Sequence, residues 1–248
     1  WKVEDPYKIW ISEIMLQQTQ VSTVIPYYLK FIKKYPNLKS LASADLDDLM
    51  LIWSGLGYYR RIKNIHLSSQ IIAREHNYNF PHKYDDILSL PGIGRTTASA
   101  ISTFSGFSNK AILDGNVKRI LTRFYEIEEE NKTILEKKLW DKSISITPLK
   151  NTSDFIQGMM DIGSVICKRT KPECCSCPLK SMGCNYNPTR KKEKKIRQKI
   201  KYINMNLIVI INQKNQIYLE KIKIGMLWQG LYSSPIFTLK SHVNKWML

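Results

Sequence analysis

A mainly α-helical protein followed by a short strand-bearing region is what this sequence predicts, and three observations carry the prediction. Apolar residues recur at helical spacing between capping residues over the first three quarters of the 248-residue chain. All five cysteines then fall between Cys167 and Cys184. Beyond them the character changes to β-branched runs, NMNLIVII and QIYLEKI, on either side of a polar turn at 212–215.

The elements follow in order. Asp5-Pro6 reads as an N-cap followed by proline at the first helical position, and Ile11, Ile14 and Met15 then point to a core. Ser43 and Asp45 precede a periodic run through Leu46, Leu49, Met50 and Ile52 that ends near Gly55. A short helix over 84–90 stops at Pro91-Gly92, and a new one rich in Ala, Ser and Thr covers 96–104. Further helices are expected over 116–125 and 153–167. The stretch TRKKEKKIRQKIK (189–201) holds eight basic residues and one Glu. It reads equally as a solvated linker or as a strip facing a polyanion. Only about 45 residues follow, few for a sheet domain that stands alone. The expectation is that this region is incomplete or leans on the helical part.

Lys and Arg outnumber Asp and Glu by 38 to 21, a net charge of +17 that suits nucleic acid. An AT-rich coding bias, visible in the abundant Lys, Ile and Asn, accounts for part of it. No apolar run approaches the roughly 20 residues of a membrane helix, and no secretory pattern opens the chain at Trp1. A cytoplasmic protein is expected.

The cysteine spacing is Cys167-x6-Cys174-x2-Cys177-x6-Cys184, with Cys175 in addition. Four thiols within 18 residues and none elsewhere point to one metal centre, and spacing leaves zinc and a [4Fe–4S] cluster both open. Cys175 is spare or replaces Cys174. In LPGIGRTTASA (90–100) two helices meet in a hairpin with Gly92 and Gly94 in the turn. Such a turn brings free helix amides close to a DNA phosphate, with Arg95 adding charge, or it is a plain connector. Asp114, in ILDGNVKR, is either an ordinary N-cap or a functional carboxylate, with Asn116 and Lys118 close behind. Glu13 lies on an otherwise apolar helix among Trp10, Ile14, Met15 and Leu16. There it is a surface residue, or a buried carboxyl kept protonated and fit to act as a general acid.

These segments, with WISEIMLQQTQV (10–21), WSGLGYYRR (53–61) and LWQGLYSSP (227–235), resemble the adenine DNA glycosylases of the MutY kind in the endonuclease III superfamily. The resemblance covers nearly the whole chain. It implies a helix-hairpin-helix six-helix barrel (1–110), a helical [4Fe–4S] cluster domain (111–187), a basic linker (188–203) and the beginning of a Nudix-like α+β C-terminal domain (204–248). By the same resemblance Glu13 is the acid that protonates adenine, and Asp114 is the carboxylate facing the sugar, supported by Asn116. Leu16, Gln17, Gln18 and Tyr58 belong to the surface that wedges into the duplex. Gly92, Gly94, Arg95, Thr96 and Lys118 lie against DNA, and Cys167, Cys174, Cys177 and Cys184 hold the cluster, one per chain. The implied partner of a monomer is double-stranded DNA carrying adenine opposite 8-oxoguanine or guanine.

Three departures stand out. The last cysteine gap has six residues where the family usually has five, so a bulge is expected at 180–183. The helix that normally precedes Trp1 is missing, and the C-terminal region stops before the segment that reads 8-oxoguanine. Two rival readings are a bifunctional glycosylase and abasic-site lyase, and a DNA-binding module without activity. The lyase needs a nucleophilic lysine where Thr96 stands, because a hydroxyl cannot form a Schiff base.

Overall fold

The structure is a computed structural model that describes residues 4–188, 202, 204–223, 225, 226 and 228–238. The chain divides into two compact units, 1–190 and 191–248. The basic run 189–201 and residues 239–248 lie outside the described residues.

The first unit is helical. Its elements are α1 (Pro6–Leu16), α2 (Val21–Lys34), α3 (Leu38–Ala42), α4 (Leu46–Ile52), α5 (Arg60–Glu75), α6 (Tyr84–Ser89), α7 (Arg95–Phe104), α8 (Gly115–Phe124), α9 (Lys132–Ile146), α10 (Thr152–Asp161) and the short α11 (Pro178–Ser181). The caps explain several of these starts. The Asp5 carboxylate accepts the Tyr7 amide at 3.0 Å, and that of Asp45 accepts the amides of Asp47 and Asp48. Each satisfies donors that a helix leaves unpaired in its first turn. Pro6 occupies the first turn, where its missing N–H leaves no bond unmade.

Burial follows the apolar periodicity. Trp10, Ile11 and Met15 of α1 are fully covered, as are Phe31, Leu49, Trp53 and Ile62. A second core joins Ile112 and Leu113 to Val117, Ile120 and Leu121 of α8, Trp140 of α9 and Ile156 of α10. Asp114 sits at the edge of that core, between two buried apolar residues and the start of α8.

The helix expected over 153–167 is interrupted. Regular α10 ends at Asp161, and Ile162–Ile166 form a π-helical turn. The cause is close packing, because a Cβ on Gly163 would stand 2.5 Å from Cβ of Asn116. After Cys177 the longer cysteine gap is absorbed as a helical turn, Pro178–Ser181, followed by Gly183 at φ +98. The left-handed backbone there admits glycine without strain and lets the Cys184 amide return to the Leu179 carbonyl at 3.1 Å.

In the second unit the polar turn forms around Asn212, whose side chain accepts the amides of Lys214 and Gln216. The expected hairpin forms across it: Ile211 and Ile217 bridge antiparallel, and the Tyr218 amide donates to the Ile210 carbonyl at 2.9 Å. Its outer ends pair with a later segment. Asn206 and Leu207 lie antiparallel to Phe237 and Ile236, and Glu220 and Lys221 to Ser233 and Tyr232. Among the described residues no helix is long and apolar enough to cross a membrane.

Candidate active site

Glu13 lies on the buried side of α1, next to Trp10 and Ile14. It is partly buried. That burial pushes its carboxyl from an ordinary 4.5 up to about 7, and the negative charge of Asp114 pushes in the same direction. Two carboxyl groups from segments 101 residues apart therefore feel one another across one site. A value of about 7 leaves Glu13 protonated in a large share of molecules at neutral pH.

Asp114 caps α8. One oxygen accepts the Val117 amide at 2.7 Å, and the other accepts the Asn116 side-chain amide at 3.0 Å. Together the two bonds fix the direction of the carboxyl group. The oxygen of Asn116 in turn accepts from Arg119 at 2.8 Å, and the same guanidinium donates to the carbonyls of Cys167, at 2.6 Å, and of Gly163. Arg123, one turn further along α8, donates to the Cys167 sulfur at 3.2 Å and to the Lys168 carbonyl at 2.8 Å. Thus the carboxylate, its supporting amide and the cysteine segment form one hydrogen-bonded chain. Arg119, Arg123 and Gly163 were not singled out from the sequence. Their signal was two arginines at i and i+4 on the helix that Asp114 caps, and a glycine four residues before Cys167.

The residues expected to meet DNA divide into two groups. Gln18 and Tyr58 are exposed and both hold left-handed backbone, at φ 57 and 48. Non-glycine residues rarely adopt it without support. Leu16 is partly buried, and Gln17 turns inward to donate to the Thr97 hydroxyl at 3.2 Å. At the hairpin, Gly92 has φ +80, and a Cβ there would strike the Asn64 side chain at 2.4 Å. Gly94 caps α7 over open space, so a ligand can approach the amides of the first turn. Arg95 stacks on Trp140, its guanidinium 3.9 Å from the ring centre, and a cleft of about 560 Å³ beside it is also lined by Lys132 and Lys137. Thr96 donates to the Leu113 carbonyl at 3.2 Å, one residue before Asp114. Lys118 is paired with Glu136 at 2.8 Å.

The four cysteines expected to be ligands are each partly buried, whereas Cys175 is exposed. The Cys174 thiol is pushed up by burial and then by the charges of Cys167, Cys177 and Cys184, so the four lie within electrostatic reach of one another. Among the described residues, no three Cys, His, Asp or Glu side chains are drawn closely enough together to hold a single metal ion.

A helical body whose glycine hairpin opens α7, packed against the helix that carries Glu13, has the architecture of a helix-hairpin-helix DNA-processing protein. Residues 11–143 match the family model described as HhH-GPD superfamily base excision DNA repair protein. The adenine DNA glycosylase of Buchnera aphidicola subsp. Baizongia pistaciae is 44% identical over the whole chain and 71% of its own length. That of Buchnera aphidicola subsp. Acyrthosiphon pisum is 46% identical, over the whole chain and 72% of its own length. Among solved structures, a thermostable thymine-DNA glycosylase superposes with a TM-score of 0.68 at 28% identity, over 74% of this chain and 85% of its own. An endonuclease III trapped covalently on DNA shares the fold at a TM-score of 0.64 and 23% identity, over 73% of this chain and 84% of its own. The chain belongs to the HhH-GPD superfamily of base excision DNA repair proteins, in its adenine DNA glycosylase branch.

Proposed function

We propose that this protein is a monofunctional DNA N-glycosylase that hydrolyses the bond between deoxyribose and an adenine mispaired with 8-oxoguanine or guanine. One observation carries the reading: burial and the neighbouring Asp114 push the Glu13 carboxyl up to about 7, and Asp114 itself is held by two hydrogen bonds. Adenine leaves poorly as an anion, so a proton must reach it as the C1′–N9 bond lengthens. Glu13 supplies that proton at N7. The sugar then carries positive charge, which the Asp114 carboxylate stabilises, much as paired carboxyl groups do in sugar hydrolysis. Water adds to C1′ and releases a proton, which restores the acid. The products are free adenine and an intact abasic strand.

To reach Glu13 the base must leave the helical stack, at a cost of a few kcal/mol that is smallest at a mismatch. In this reading Gln18 and Tyr58, both exposed, enter the gap. The α7 amides at Gly94, with Arg95, hold the backbone phosphates. Excision of adenine from duplexes carrying A:G and A:8-oxoguanine, followed by analysis of the released base, tests the reading. Release of thymine or an oxidised pyrimidine in place of adenine overturns it.

The reaction type gives a separate expectation. Thr96 stands where a lyase needs an amine, so the abasic strand breaks only after alkali or heat. Gel analysis with and without alkali checks this. Strand scission without treatment, together with a borohydride-trapped adduct that survives Lys118→Ala, contradicts it.

The four partly buried cysteines suit a [4Fe–4S] cluster, for which Cys167, Cys174, Cys177 and Cys184 are the ligands. These four thiolates would hold the cluster, which would cross-link the segment 167–184. Protein purified anaerobically is expected to contain about four irons per chain. Cys184→Ser lowers that number and Cys175→Ser leaves it unchanged. Loss of iron on replacing Cys175 but not Cys174 reverses the assignment. The domain division at 110 and 187 belongs to the same proposal.

A further inference from the structure

Arg61 lies in the first turn of α5 and is 7% exposed, an unusual burial for a guanidinium whose hydrogen bonds run to backbone carbonyls. Its two terminal nitrogens donate to five backbone carbonyls. Three belong to the end of α1 and the loop after it: Ile14 at 3.1 Å, Met15 at 2.6 Å and Gln17 at 2.6 Å. Two belong to the loop before α5: Leu56 at 3.4 Å and Gly57 at 3.2 Å. The guanidinium also lies between the rings of Trp53 and Tyr58, at 5.4 and 5.3 Å. One charged group therefore joins two loops that are some 40 residues apart in sequence.

Each loop carries one strained, exposed residue directly beside an Arg61 contact. Gln18 follows Gln17, and Tyr58 follows Gly57; both have positive φ. A helix end leaves carbonyls without partners, and a buried cation satisfies them at the point where the left-handed residue begins. The same helix reaches the third DNA-facing loop, because Asn64 lies against Gly92 and the Ser68 hydroxyl donates to the Pro91 carbonyl at 3.3 Å. We propose that Arg61 is a positioning residue for base extrusion, holding Gln18 and Tyr58 in the spacing and backbone conformation with which they enter the duplex. This rests on the reading of Gln18 and Tyr58 as wedge residues.

The test separates extrusion from chemistry and from folding. Arg61→Met keeps the length of the side chain and removes its donors, and Arg61→Lys keeps the charge with fewer donors. A duplex with 2-aminopurine at the target position, opposite guanine, is saturated with each protein, and the rise in fluorescence reports unstacking. A second duplex places the target adenine opposite an abasic site, where pairing no longer resists extrusion. Unstacking opposite guanine is expected to fall about tenfold or more in Arg61→Met and less in Arg61→Lys, since extrusion costs a few kcal/mol and about 1.4 kcal/mol is a decade. On the unpaired target, adenine release per bound protein changes less than about threefold, because Glu13 is untouched. Should Arg61→Met fail to fold, the Arg61→Lys pair of measurements decides. Equal loss on both duplexes shows a merely structural or chemical role and overturns the proposal, as does no loss on either. A failure of the unsubstituted protein to unstack the base overturns it too. A failure to release adenine from the unpaired duplex overturns the glycosylase reading alone, since unstacking is measured separately.

Discussion

Glu13→Gln is expected to lower the single-turnover rate of adenine release by ~10²–10⁴-fold, the usual worth of general acid catalysis. DNA affinity should stay close to that of the unsubstituted protein. The amide keeps the size and hydrogen-bonding shape of the carboxyl but has no proton to give. Because the carboxyl titrates at about 7, the unsubstituted protein should show a rate that is level below that pH. Above it the rate falls about tenfold per unit as the acid is lost. The residual rate of Glu13→Gln should show no such limb. A near-normal rate in the variant, or an unchanged alkaline limb, removes Glu13 from the reaction.

The same shift makes Glu13 a burden on stability, with a defined sign. Its folded-state value lies above the ordinary 4.5, so between those two pH values the folded chain holds a proton that the unfolded chain has released. Stability is therefore lost as pH rises from about 4.5 through 7, by on the order of 3 kcal/mol when complete. Glu13→Gln, inactive, should consequently melt higher than the unsubstituted protein at pH 8 and close to it at pH 4.5. An acid kept protonated for catalysis is stored at the expense of the fold, as expected where activity and stability compete.

What could be read in advance was local. Asp5-Pro6, the Asp45 cap and the stop at Pro91-Gly92 each depend on a few consecutive residues, and the helices begin and end accordingly. The bonds that position the site are not local. Arg61 reaches carbonyls 44 to 47 residues away, and Gln17 reaches Thr97 across 80. Nothing in WSGLGYYRR distinguishes Arg61, which is buried, from Arg60, which is exposed. The π-helical turn escaped for the same reason. The periodicity of 153–167 is compatible with a continuous helix, and what breaks it is Asn116 pressed against Gly163 from another helix. In the second unit the turn and its β-branched flanks announced the hairpin across 212–215, but not the pairing of 206–207 and 220–221 with residues 232–237, which depends on a segment further along the chain.

Asp114→Asn should remove most of the remaining catalysis while leaving the helix start intact, which makes it the complementary substitution. Asn caps a helix as well as Asp does, so the bond from the Val117 amide persists and α8 still begins at Gly115. What disappears is the negative charge facing the sugar. Loss of a preorganised group of this kind typically costs ~10²–10³ in rate, and here it should appear on the level part of the pH profile. The profile itself should also move. Asp114 is the second cause of the raised Glu13 value, so without it the carboxyl titrates lower and the alkaline limb shifts to lower pH. Burial, the larger cause, keeps it above the ordinary range. Asn116→Ala offers the graded comparison, because it deletes one bond to Asp114 and the link to Arg119 but retains both charges. Its rate should fall by about tenfold or more, in keeping with ~1.5–3 kcal/mol for a hydrogen bond to a charged group, with the limb unmoved. Single-turnover rates for all three proteins between pH 5.5 and about 9 distinguish these outcomes. An Asp114→Asn profile that is lowered but not displaced would separate the two carboxyl groups electrostatically, whereas one neither lowered nor displaced would leave Asp114 as a cap alone.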